Sequence, residues 1–461
     1  MNILNLKKKK LNLLVFLYIT TLLFSSIVTI LNGFNVNNSL STMSYYSNSG
    51  EFSEENLDLS FKDDFDDIFI YSINGRNYLA TYKTAEDLEV MKKGIDTQTK
   101  RSNSDYNPII DGHGTGYALP SSEDLESLIG KISLLDVVPE YGQKYRASAD
   151  LSTEIYFPTV GDQAMQGSCS AWANAYYAYG YLEAKDYGWD ASSGNPDFLL
   201  SPAWAYNIIA AYDYGSIPYE VAQVLVDWGV PTLSAMPYDD TDVDSWGNEV
   251  AWRQAPYHRP LDYALITYVG PTTIDLIKSI IDSGTPVTIG IDAYQFNSGL
   301  DEGTMDFILN SSEYDPSGGL NHAQCFVGYD DAITEGSDFG AFRVVNSWGE
   351  SFMDGGYYWL TYDAFSEFAD VSGQVIMTFT DRIDYNPSLI STWEFNPAPT
   401  RMGDIVTLGV GPYGTPYDSL TPHYDYDTNN PFPDFMALDI SDFLPYYTCL
   451  LYTSPSPRDR S

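Results

Sequence analysis

Between residues 150 and 381 the chain changes texture once: aromatic, helix-patterned stretches come first and β-rich runs follow. The stretch SAWANAYYAYGYLEAKDYG, which begins beside Cys169, has the alanines and aromatics of a largely buried helix. LLSPAWAYNIIAAYDYG and EVAQVLVDWG read as two more helices, the latter closed by Gly229 as a C-cap. TPVTIGIDA, HAQCFVGYDD, FRVVNSWG, YYWLTY and GQVIMTF then read as strands. Helices followed by strands, with no βαβ alternation, predict an α+β domain of two lobes.

The flanks differ in character. Lys7 to Lys10 precede a continuous apolar stretch from residue 11 to 31, a pattern that directs export and places the remainder outside the cell or on its surface. Its length suits a bilayer span of about 20 residues, and no small-x-small site follows it, so a cleaved signal and a membrane anchor through residues 11–31 both remain open. Residues 34–147 read as a linker and a pro-region or N-terminal subdomain. The linker carries an N-x-S sequon at Asn37, and Asn310 heads another. Asn74 and Gly75 sit between β-rich runs as a hairpin turn, while AEDLEVMKKG and SSEDLESLIGKISLLD read as helices. Residues 148–381 form the main domain, and ISTWEFNPAP, DIVTLGVG and DFMALDI mark a β-rich accessory domain over 382–448. The ending from Cys449 to Asp459, CLLYTSPSPRD, is similar to a translated sequencing adapter, with Arg460 and Ser461 as read-through. Residues 449–461 are therefore set aside, and the β-rich domain is expected to be truncated.

Composition narrows the function classes. The chain has 461 residues, 44% of them apolar, enough for a full-sized core. With 23 basic and 63 acidic residues the net charge is −40, which disfavours nucleic acid and anionic membrane surfaces as partners. An acidic, solvated surface accounts for this balance without a specific ligand. Three cysteines, Cys169, Cys325 and Cys449, are too few for a disulfide framework. HExxH and paired CxxC spacings are absent from the sequence, so no catalytic metal and no cofactor are implied. Oligomeric state is not legible.

One constellation carries chemistry. Cys169 follows Gly167 and Ser168 at the start of the aromatic helix, where backbone N–H groups and the helix dipole favour the thiolate. Its own N–H there can donate to a developing oxyanion, and the side-chain amide of Gln163, one loop upstream, can supply a second donor. A thiolate needs a base that takes its proton and returns one to a leaving amine. His322, after two glycines at the mouth of a strand, fits that role. Asn346, at the turn after another strand, can orient the imidazole, with Trp348 shielding their bond from water.

Taken in order, QGSC-x-AWA, LSP-x-x-x-Y from Leu200, the segment Gly229 to Tyr238, GTPVTIGID, NHAQCFVGYD and NSWG followed by GGYYWL resemble the papain family of cysteine peptidases from Gly161 to Trp359. The resemblance implies a two-lobed fold, a helical lobe beside a β-barrel-like one, with the site between them. It implies peptide or protein substrates, with Gln163, Cys169, His322 and Asn346 as the catalytic set and Trp348 packed over the asparagine. By the same resemblance Gly215 and Ser216 fall where an extended substrate is hydrogen-bonded, and Gly290, Leu320, Asn321 and Ala323 fall near the wall of the S2 pocket.

The sequence departs from that pattern where Gln166 replaces a frequent cysteine and Ser170 a common tryptophan. Three other readings stay open: a Cys169–Cys325 disulfide, a silent extracellular binding or adhesion protein on the same fold, and a transpeptidase or amidase using the same acyl-enzyme. DGHGTG, Asp111 to Gly116, resembles the histidine motif of subtilisin-type serine peptidases, but no GTS-type serine motif follows it. It reads as a turn in the pro-region.

Overall fold

The computed structural model describes residues 68–82, 108–119, 133–136 and 145–446 apart from 210–214, 269, 302, 304, 370–373, 413–414 and 426–428. The apolar N-terminal stretch, the Asn37 sequon, the AEDLEVMKKG helix and the adapter-like ending lie outside the described residues.

The helical lobe is built on a helix over residues 169–187. It opens as Cys169–Ala171, runs through a wider π winding over Trp172–Tyr179, and ends as Gly180–Tyr187. Every residue from Cys169 to Ala184 is buried, because a helix apolar on all sides must be surrounded by other elements. Gly188, at φ 68°, ends it in the left-handed conformation that glycine tolerates. Pro202–Ile209 and Pro218–Trp228 pack beside it, each with proline in the first turn. Gly229 at φ 76° follows Trp228, and its N–H bonds to Leu225 O as the expected C-cap.

The second lobe is a mixed sheet of 11 strands. In chain order these are β1 (Ile68–Ile73), β2 (Arg76–Tyr82), β3 (Ser133–Asp136), β4 (Ser148–Asp150), β5 (Asp262–Ile266), β6 (Val287–Ile291), β7 (Ile308–Leu309), β8 (His322–Glu335), β9 (Asp338–Val345), β10 (Tyr357–Thr361) and β11 (Ile376–Thr380). They pair in the order β1-β2-β3-β5-β11-β6-β8-β9-β10-β7, with β4 added to β8. The registers of β6, β8 and β9 place the site. Ile291 lies opposite His322 and Gly290 opposite Ala323, so β6 runs beside the strand that carries the histidine. Cys325 lies opposite Val345, which brings His322, three residues before Cys325, to the same sheet end as Asn346, the residue after Val345.

Two features of the flanks matter. The Asn74–Gly75 hairpin forms as expected, both residues having positive φ (46° and 76°) as a tight two-residue turn demands. The stretch expected to be helical over 121–136 ends instead in strand β3, pairing with β2 antiparallel and β5 parallel. Ladder pairing to both neighbours outweighs local helix propensity there. At the other end, β12 (Ile390–Glu394) pairs with β15 (Phe435–Asp439), and β13 (Leu408–Val410) with β14 (Asp418–Leu420). This β-rich segment packs on the helical lobe. Asp439 receives a 2.6 Å bond from Arg259, Trp228 Nε1 donates to His423 O, and the guanidinium of Arg401 lies over the Trp246 ring.

Candidate active site

Cys169, His322 and Asn346 come from the helix start, the start of β8 and the end of β9, and all three are fully buried. His322 Nε2 lies 2.7 Å from Asn346 Oδ1. The same oxygen accepts the Ser347 N–H at 2.8 Å, which fixes it as the carbonyl end of the amide. Nε2 must then carry the proton, and Nδ1 is left as the basic nitrogen. The Trp348 ring packs 5.0 Å from the His322 ring and is itself buried, so the His–Asn bond is screened from water. The Cys169 sulfur accepts the Ala323 N–H at 3.2 Å, a donor aimed at the form of sulfur that bears charge. Cys169 and Cys325 are both free thiols, which removes the disulfide reading.

Gln163 is held at both ends. Its backbone N–H bonds to Ser347 O at 2.8 Å, and its Oε1 accepts the Ser347 hydroxyl at 2.6 Å. That leaves the amide nitrogen to donate, to Gln166 O at 2.8 Å and to Thr115 O at 3.2 Å. The N–H of Cys169 reaches the same Thr115 oxygen at 3.3 Å. Two donors from different segments thus converge on one carbonyl beside the sulfur.

Thr115 belongs to the segment read from sequence as a mere turn. Ile110 and His113 do exchange turn hydrogen bonds, but residues 113–118 then thread the cleft as a strap. His113 stacks on Trp348 at 5.2 Å, and Trp348 Nε1 donates to Gly114 O. Ser216 N–H donates to Gly116 O at 2.9 Å, Ala118 N–H to Ser216 O at 3.1 Å, and Tyr117 N–H to Asn321 O at 2.9 Å. A Cβ on Gly116, whose φ is 100°, would sit 2.0 Å from Gly167 O, and one on Gly114 would sit 2.5 Å from Gln166 O. Only glycine passes at those two points.

Under this cover burial dominates the electrostatics. It pushes the Cys169 thiol up to about 12, against the partial opposition of the Ala323 N–H. It pulls the His322 imidazole down to about 4, with the Asn346 bond opposing and the neighbouring His113 adding slightly. Both groups are therefore neutral near pH 7 while the strap is in place.

The weaker subsite expectations fall around the strap. Gly215 has φ 90° and its Cβ position is filled by Gly116 O; Ser216 pairs with the strap backbone, and Gly290 lies beneath the Tyr117 ring. Asn321 and Ala323 meet the strap and the sulfur through their backbones, while for Leu320 the structure gives burial alone. Sequence reasoning missed several supports. Ser170 Oγ donates to Ser216 O, Tyr177 OH to Asn346 O, and Tyr238 OH to Gln163 O. Gln166 replaces a covalent tie with hydrogen bonds to the backbone of Asp239 and Asp242. Among the described residues no three His, Cys, Asp or Glu side chains converge to hold a metal ion.

The family model described as papain family cysteine protease matches residues 146–376, half of the chain. The chain belongs to the papain family. It is accordingly a cysteine-type peptidase acting on peptide or protein substrates, on the α+β papain fold. No curated protein matches it. Similar solved structures include xylellain, a cysteine protease from Xylella fastidiosa, at 21% identity over 61% of this chain and 98% of that chain, TM-score 0.45. A digestive procathepsin L2 proteinase from Tenebrio molitor larval midgut is 17% identical over 65% of this chain and 95% of that chain, TM-score 0.44. The bromelain protease from Ananas comosus is 19% identical over 51% and 100%, TM-score 0.40. In this papain-family chain the structure brings Cys169, His322, Asn346 and Gln163, the residues expected from sequence to act in acyl transfer to sulfur, into one neighbourhood.

Proposed function

We propose that this chain is an exported cysteine endopeptidase, held latent by residues 113–118, whose catalytic set is Cys169, His322, Asn346 and Gln163. The observation that carries the reading is the meeting of the Cys169 N–H and the Gln163 amide at the Thr115 carbonyl beside the sulfur. Donors at that point suit the tetrahedral oxyanion better than a ground-state carbonyl, because negative charge develops there only during attack. Cys169 thiolate adds to the peptide carbonyl, and the oxyanion takes the place of Thr115 O. The His322 imidazolium, formed with the cysteine proton and steadied by Asn346, then protonates the leaving amine at Nδ1. Water, deprotonated by the same nitrogen, hydrolyses the thioester and restores the thiol.

The same roles predict that the strap resists cleavage in the cleft. His322 must face the leaving amine, so the amine half of a substrate lies on the His322 and Trp348 side and the acyl half on the Ser216 and Gly290 side. In the strap the order is reversed: His113 and Gly114 lie on Trp348, and Gly116 to Ala118 on Ser216. The Gly116 nitrogen, which would have to leave, belongs to the half of the strap that pairs with Ser216, whereas the proposed acid lies on the Trp348 side. Export rests on the basic and apolar N-terminal pattern.

The test compares the full chain with Cys169→Ala, before and after limited proteolysis of the pro-region, on a mixed peptide pool with and without an epoxysuccinyl thiol inhibitor. Cleavage should follow strap removal, be stopped by the inhibitor bound at Cys169, and be absent from the variant. Full activity in Cys169→Ala would overturn the mechanism.

A further inference from the structure

The two groups assigned to the oxyanion, the Gln163 amide and the Cys169 N–H, stand at the ends of one loop, and that loop is held from residues 238–242. The Tyr238 hydroxyl lies 2.8 Å from Gln163 O and 2.8 Å from Ser168 Oγ, so a single oxygen spans the loop from the glutamine to the residue before the nucleophile. The direction of both bonds follows from the protons available. A carbonyl only accepts, so the phenol commits its one proton to Gln163 O, and the Ser168 hydroxyl must donate to the phenol oxygen. The result is a chain, Ser168 O–H to Tyr238 O–H to Gln163 O, in which each bond polarises the next. Ser168 is buried, and the Tyr238 ring meets the Trp172 ring edge-on at 4.9 Å, which seats the shared oxygen against the central helix. Gln166, midway along the loop, ties to the same segment through Asp239 O and Asp242 O, and its own carbonyl takes the Gln163 amide at 2.8 Å.

We propose that Tyr238 is a positioning residue for acyl transfer: through Ser168 and the Gln163 carbonyl, its hydroxyl sets the separation of the two donors that meet the developing oxyanion. The proposal rests on the catalytic reading above and adds to it a residue that touches none of the proposed reacting atoms. Ser347 holds the Gln163 N–H and side-chain oxygen, but not its carbonyl. Without the phenol hydroxyl, Gln163 O keeps the Gln166 N–H at 3.3 Å, and the buried Ser168 hydroxyl loses the phenol oxygen as acceptor. The loop then has slack between its two donors. Donors act on a transition state without reorganising only when they are fixed beforehand, and a misplacement of about 1 Å can cost about a hundredfold in rate. The loss therefore falls on the chemical steps and spares the binding of the ground-state peptide.

The experiment takes the full chain, cut by limited proteolysis to free the cleft, and compares it with Tyr238→Phe, which keeps the ring on Trp172 and removes the hydroxyl. Peptide cleavage by the variant should show kcat lowered about tenfold with KM within about twofold of the parent. Alkylation of Cys169 by iodoacetamide is the control for fold and thiol reactivity. That displacement joins sulfur to a saturated carbon and releases iodide, so it forms no oxyanion, and its rate should be the same in both proteins. Ser168→Ala breaks the chain one bond earlier and should lower kcat by about threefold, while the double variant should be no slower than Tyr238→Phe alone, since both changes act on one chain. A kcat for Tyr238→Phe equal to the parent's overturns the proposal, as does an iodoacetamide rate that falls in step with kcat. Additive losses in the double variant overturn the chain through Ser168. In each of these outcomes the catalytic reading stands. Failure of the cut parent to cleave any peptide while Cys169 is fully alkylated overturns the catalytic reading, and the role of Tyr238 with it.

Discussion

A thiol pushed up to about 12 beside an imidazole pulled down to about 4 is a latent pair, and burial is the cause of both shifts. Exposure should therefore reverse them in opposite directions, lowering the cysteine and raising the histidine. In the uncut chain, site-resolved alkylation of Cys169 should be slow at neutral pH and climb only in strong alkali. After strap removal the same profile should move several pH units toward acid, and a profile that does not move would refute the burial argument. Ser347 belongs to this scale too. It touches none of the proposed reacting atoms, yet its hydroxyl fixes which end of Gln163 faces the Thr115 carbonyl. Ser347→Ala should lower kcat by about tenfold with KM little changed, since the lost interaction matters only as charge develops. Cys169, His322, Asn346 and Gln163, the proposed catalytic set, were legible as residue types in order, and the structure brings them together. Ser347 was visible only as part of NSWG, because nothing in a linear sequence says that a hydroxyl after the orienting asparagine reaches back 184 residues to a glutamine.

At the scale of elements, the strap shows what local pattern conceals. DGHGTG has every local mark of a turn, and a turn it begins with, but Gly114 and Gly116 are required by the backbone of Gln166 and Gly167 across the cleft. Contacts of that kind leave no periodic trace. Strand β3 was misread for a related reason, since its pairing partners are remote in sequence. The central helix and strands β6, β8, β9, β10 and β11 were readable because burial writes itself into periodicity and β-branched content. Gly116→Ala should expel the strap and raise the peptidase activity of the uncut chain above that of the parent; an uncut variant no more active than its parent would contradict the steric argument. A second prediction concerns the junction of the central helix with β11. Burial, reinforced by Glu183 and Asp186, raises Asp381 to about 8. A carboxyl raised in the folded state binds its proton there while the unfolded chain has lost it, so folding weakens as pH rises from about 4 to 8. Asp381→Asn should raise the melting temperature at pH 8 and leave it unchanged near pH 4.

The whole molecule is tied together by contacts between its flanks and its core. Asp282 on the sheet lobe receives Arg76 from the hairpin and Arg146 from just before the main domain, both at 2.6 Å. Asp439, in the β-rich segment, is buried and takes Arg259 from the helical lobe together with the hydroxyl of Tyr385. Asp439→Asn removes the carboxylate bonded to the buried Arg259 guanidinium and leaves it only the unbonded charge of Asp227, a change that costs up to about 3–5 kcal/mol. Thermal unfolding should register it, and a melting point within a degree of the parent would show that water replaces the carboxylate.

The strap's grip has a consequence for dilution. While residues 113–118 are covalently attached, the cleft experiences them at an effective concentration on the order of millimolar, whatever the amount of protein in solution. Only cuts on both sides of the strap convert that fixed concentration into the real one. Because the Gln163 amide and the Cys169 N–H already stand in place, at 3.2 and 3.3 Å from Thr115 O, the proposed oxyanion site needs no rebuilding when the peptide departs. Activation is then a matter of escape into volume: rapid for enzyme released into open surroundings, and slowed by rebinding wherever severed straps accumulate.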